Sequence, residues 1–152
     1  MISLALLGAA TPVVAQSSSQ TVSFQVDAIN QIAFAGSPSL VINSATAGSA
    51  PSSVNAAATW AVTTNQSNAK ITASINAAMP ANVTLTVALV APTGATSNGA
   101  QTLGTVATDV VTGLTQVAQG ALGVTYSLTA TATAGVVAST TRTVTYTITG
   151  GT

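Results

Sequence analysis

Four side chains in this chain carry charge: Asp27, Lys70, Asp109 and Arg142. His, Cys and Glu are absent. That inventory closes most routes to catalysis. Without His, neither a Ser-His nor a Cys-His pair can form. Asp27 and Asp109 stand far apart in the sequence, and a domain with only two acids rarely sets both in one cleft for paired-carboxylate hydrolysis. Lys70 can in principle activate a Ser, but beside Ile71 it reads as a solvent-facing residue. Calcium sites gather several carboxylates, and here there are two in all. The expectation is a protein that is not an enzyme and that holds no metal or cofactor.

Other polar positions offer modification or recognition. Asn65-Gln66-Ser67 and Asn82-Val83-Thr84 match the N-glycosylation triplet, so Asn65 and Asn82 are candidate acceptors. Asn65, in an expected turn, is the better of the two. Trp60 is the only Trp. In a sandwich such a residue is more often core than a sugar-stacking platform. The Thr rows at Thr125–Thr131 and Thr143–Thr149 would suit ice if they adjoined on a flat face. Thr is, however, also a good strand residue that bonds across strands, and sheets twist.

The elements that carry these residues follow from periodicity. From Leu122 to Thr149 the chain alternates: Leu122, Val124, Tyr126 and Leu128 on one side, Thr125, Ser127, Thr129 and Thr131 on the other. The pattern resumes with Val144, Tyr146 and Ile148 against Thr143, Thr145, Thr147 and Thr149. A period of two means strands, whose successive side chains leave opposite faces. The spacing predicts two long strands, as an antiparallel hairpin or joined by a crossover between sheets. Further strands are expected at Thr21–Asp27, around Ile32 and Phe34, at Leu40–Ile42, and at Val83–Leu89, the last as a central strand. Ala57–Ile75 reads as a hairpin turning at Asn65–Asn68. Asn43–Ala56, Pro92–Gly104 and Gln116–Gly120 read as loops or turns. Thr105–Leu114 fits a strand with a bulge or one helical turn. Turn signals at this spacing predict an all-β protein, an antiparallel Ig-like β-sandwich of about 7–9 strands.

Composition bounds the partners. Of 152 residues, 47% are hydrophobic and 3% charged, with zero net charge, against roughly 25% charged in an ordinary soluble domain. Two cations cannot neutralise a run of phosphates, which excludes nucleic acid, and they cannot draw the chain to an anionic membrane surface. Residues 1–15 read as a secretory signal, with an apolar run from Ile2 to Ala10, Pro12 as a breaker and cleavage near Ala15, although no Lys or Arg precedes the run. The run is too short for a membrane span. Residues 16–20 form a polar linker, and 21–152 a single sandwich domain. The expected location is secreted, extracellular or at the cell surface.

Soluble β proteins guard their sheet edges with Lys, Pro, bulges or inward charges. This chain has almost no charge for that purpose, and its alternating segments lack Pro. Such a chain is expected to assemble with copies of itself. Strand addition is the favoured route, with Thr21–Asp27 as donor and Val22, Phe24 and Val26 as its plugs. The signal, the short Thr21-Val22-Ser23-Phe24-Gln25-Val26 strand, the Ala/Thr-rich body and the terminal Thr143–Thr149 strand together resemble small secreted pilin-like subunits. The chain departs from the chaperone-usher type in lacking Cys. The resemblance implies a homopolymeric surface filament built by donor strands, with a role in adhesion or biofilm formation toward a host or surface ligand that the sequence does not name. The alternative is a monomeric cell-surface binding module.

Overall fold

The computed structural model describes residues 14–151. The expected signal therefore lies outside the described residues except for Val14 and Ala15. Nine strands and one 3-10 turn, Ala132–Ala134, make up the regular structure of the described residues. The strands are β1 (Asn30–Ala35), β2 (Val54–Thr64), β3 (Ala69–Ile75), β4 (Val83–Leu89), β5 (Thr96–Ser97), β6 (Gln101–Thr102), β7 (Thr108–Leu114), β8 (Val117–Ala130) and β9 (Val144–Thr149). They form two antiparallel sheets, ordered β1-β2-β8-β4-β6 and β5-β7-β3-β9. The fold is an all-β sandwich.

Alternation dictates the packing. Trp60 and Val62 of β2, Leu85, Val87 and Leu89 of β4, and Leu122, Val124 and Tyr126 of β8 are buried from one sheet. Ile71, Ala73 and Ile75 of β3, with Val110, Val111 and Leu114 of β7, are buried from the other. Burying these rows between two facing sheets removes apolar surface from water, the main favourable term in folding.

The expected Ala57–Ile75 hairpin is corrected. β2 pairs with β1 and β8, whereas β3 pairs with β7 and β9, so the chain arches from one sheet to the other at Asn65–Asn68. β8 and β9 are likewise in different sheets, joined by the crossover that the spacing left open. A period of two places side chains on faces but does not say which strand lies alongside. The central strand is β8, with β4 one position toward the edge. Leu40–Ile42 is not a strand, although Leu40 packs on the core. Thr21–Asp27 is outside every strand.

Two irregularities account for the expected turn at Gln116–Gly120 and for the ambiguity at Thr105–Leu114. Trp60 faces Leu122 while Val62 faces Gln119, so β8 carries one extra residue near Gly120–Ala121. Ala121 adopts φ of 55° there. A bulge of this kind flips the alternation phase without ending the strand, which is why Gln116–Gly120 resembles a turn. In β7, Ile71 faces Val111 and Thr72 faces Asp109. The extra residue lets Val110 and Val111 both face inward, each fully buried. Thr105–Leu114 is thus the strand-with-bulge reading. The expected loop at Pro92–Gly104 contains β5 and β6, and the one at Asn43–Ala56 is cut short by β2, which begins at Val54.

Candidate functional site

The charged residues do not converge. Lys70 Nζ lies 3.0 Å from Asp109 Oδ1, on the surface, with the two side chains 47% and 39% exposed. Asp27 accepts a 2.6 Å hydrogen bond from Gln25 Nε2. Arg142 donates from Nε and Nη2 to the Ala78 carbonyl, pinning the connector that leads to β9. No group of three or more potential metal ligands occurs among the described residues. Two shallow depressions of about 150 and 130 Å³ lie over β1 and β2, lined by residues such as Ala33, Ala61 and Thr63, with no titratable side chain. Ligand pockets are typically ~300–1,000 Å³.

Trp60 is core: it is 1% exposed, and its Nε1 donates to the Val90 carbonyl at 3.1 Å. It heads a row of rings. Phe34 stacks on Trp60 with centroids 5.9 Å apart and on Tyr146 at 3.8 Å. Tyr146 and Tyr126 share a 2.7 Å hydrogen bond between their hydroxyls across the sandwich. Burial pushes the Tyr146 phenol well above its ordinary range, and the bond to Tyr126 pushes it further the same way.

The two Thr rows do not adjoin, because β8 and β9 belong to different sheets. Thr145, Thr147 and Thr149 instead face Ser74, Thr72 and Lys70. Asn82 is exposed at a turn, with φ of 62°. Asn65 has a structural task. Its Oδ1 accepts from the Ile29 amide at 2.7 Å, and its Nδ2 donates to the Asp27 carbonyl at 2.8 Å. The Asn65 amide also donates to the Ile29 carbonyl at 3.2 Å. This clamp holds the chain just before β1.

Beyond the clamp lies the feature with most bearing on function. Val22, Phe24 and Val26 are 74%, 93% and 78% exposed. These three apolar residues, spaced by two, touch almost nothing of their own molecule. The sequence signals the segment; the clamp that roots it is invisible to periodicity.

The sheet margins form the other half of the picture. β1 and β6 bound one sheet, β5 and β9 the other. Val144, Tyr146 and Ile148 of β9 pack against the core yet stay only partly buried. Their opposite numbers in β3, Ile75, Ala73 and Ile71, are 3%, 0% and 0% exposed. The difference is positional: β3 has a hydrogen-bonded neighbour on each side and β9 on one, with Phe34 of β1 in the other sheet stacked on its Tyr146. The chain matches no family model, and neither a curated protein nor a solved structure is similar to it.

Proposed function

We propose that this protein is the structural subunit of an extracellular homopolymeric filament, in which the Thr21–Asp27 segment of one copy completes a sheet of the next. The observation that carries the reading is the exposure of Val22, Phe24 and Val26. Leaving three large apolar groups in water, evenly spaced by two residues, is unfavourable unless a partner surface covers them. Main-chain hydrogen bonds would supply affinity, and the alternate side chains would supply fit. Zero net charge removes the repulsion that keeps copies apart. The contact is head-to-tail and does not close on itself, so it propagates as a filament. Adhesion or biofilm formation is the role that suits such a polymer at a cell surface.

The test is negative-stain microscopy with sedimentation of the mature chain and of a chain lacking residues 16–27. Filaments are expected from the first and folded single copies from the second. Filaments of normal length from the shortened chain rule out the segment as donor. A mature chain that stays monomeric at high concentration sinks the polymer itself.

A further inference from the structure

We propose that the acceptor is the free edge of β9 in a second copy of this chain, with Phe24 set opposite Tyr146 and the incoming segment running antiparallel to β9. This rests on the filament reading above and adds where, and in which direction, the segment docks.

Four margins are available, and three fit poorly. β5 and β6 are two residues long and cannot template the seven-residue donor. β1 has the length, but its inward row is Asn30, Ile32 and Phe34. Asn30 is polar and already accepts from the Thr64 hydroxyl at 2.7 Å. The inward row of β9 is Val144, Tyr146 and Ile148, half-covered, and its one polar atom, the Tyr146 hydroxyl, is already bonded to Tyr126 across the sandwich. Three plugs at two-residue spacing span roughly 13 Å in a strand, at about 3.3 Å per residue. Val144 to Ile148 spans the same distance on the same rule.

The edge is also undefended. β9 pairs with β3 without a register shift, whereas the β3–β7 ladder shifts twice. No Lys, Pro or bulge interrupts its outward face, which is Thr at 145, 147 and 149. Phe24 opposite Tyr146 would extend the row of rings already formed by Trp60, Phe34 and Tyr146.

The register of the sheets explains why the donor comes from another copy. Asn65 clamps the root of the segment at the end of the sandwich where β1 begins and β9 finishes, because Asn30 faces Thr64 and Lys70 faces Thr149. Folded back on its own β9, the segment would run parallel to it. A neighbour's segment is free to run antiparallel, the slightly more stable pairing.

The native chain has no Cys, so placed cysteines report directly. In the antiparallel arrangement Ser23 faces Thr147, both exposed residues that take no part in packing. Full-length S23C/T147C, oxidised and run without reductant, is expected to give a ladder of covalent multimers that reductant collapses. A mixture of S23C and T147C single variants should stop at dimers. Filaments with no such ladder, but with a ladder from S23C/A33C, overturn the β9 assignment and leave the filament reading standing. A ladder from S23C/T145C alone overturns the antiparallel direction. Cross-linking confined within single copies overturns the second-copy donor. Absence of both filaments and cross-links brings down this proposal together with the reading it rests on.

Discussion

Replacing Phe24 with Ala separates assembly from folding. In the single copy Phe24 is 93% exposed, so removing the ring takes away no internal packing. The unfolding midpoint should stay within the ±0.5 kcal/mol usual for surface changes. In the polymer the ring is covered. Full burial of a Phe side chain is worth ~1.5–3 kcal/mol, and truncation to Ala forfeits about 2 kcal/mol of that. At 1.4 kcal/mol per factor of ten, subunit affinity falls roughly 30-fold. The assay is a concentration series, with polymer pelleted and the soluble remainder quantified, alongside thermal melts of the same samples. The critical concentration should rise by about that factor while the melt is unchanged. Val22→Ala, which deletes two methyl groups at ~0.8 kcal/mol each, should raise it by about 14-fold. An unchanged critical concentration in F24A, or a melt lowered by several degrees, refutes the reasoning: the ring would then be either irrelevant to association or packed within its own molecule.

Trp60→Ala removes a fully buried ring and strands the Val90 carbonyl; urea titration should show a loss of ~3–5 kcal/mol. Tyr146→Phe deletes one hydroxyl of the partly buried pair with Tyr126 and should cost about 1 kcal/mol at neutral pH. The same variant tests the alkaline limb. The folded state holds the Tyr146 proton more tightly than the unfolded chain does. That contribution is therefore fully present below the ordinary Tyr value of about 10 and is lost as pH rises above it. Unfolding titrations between about pH 7 and 11 should show Y146F losing less stability above pH 10 than the parent. Lys70→Ala breaks a surface ion pair whose members are 47% and 39% exposed. Its effect should stay below ~1 kcal/mol and shrink further in 1 M salt.

The long strands were legible because each presents one face to the core, whereas β5 and β6, two residues each, show no alternation to read. Val83–Leu89, Ile71–Ile75 and Leu122–Leu128 place their apolar residues where the alternation puts them. Neighbour identity was not legible, since a residue faces inward whether the next strand lies beside it or across the sandwich. The bulge near Ala121 hid the start of β8 for a related reason: one inserted residue inverts the phase and imitates a turn. At the candidate site, Val22, Phe24 and Val26 stood out by spacing and composition. The β9 edge did not, because its exposure depends on β8 lying in the other sheet. The Asn65 clamp joins residues distant in sequence through one amide side chain, and only the folded chain brings them together.

The strand order also constrains how the molecule comes into being. β8 is the neighbour of both β2 and β4, and β3 lies between β7 and β9. A chain made from its amino end can join β1 to β2, β4 to β6 and β3 to β7 early, but the other edges of β2 and β4 must wait for β8, and that of β3 for β9. Distant pairings of this kind close slowly. Each nascent molecule therefore carries open strand edges until almost its whole length has emerged, and a ribosome that stops before Val117 releases a product in which neither the five-stranded nor the four-stranded layer can be completed.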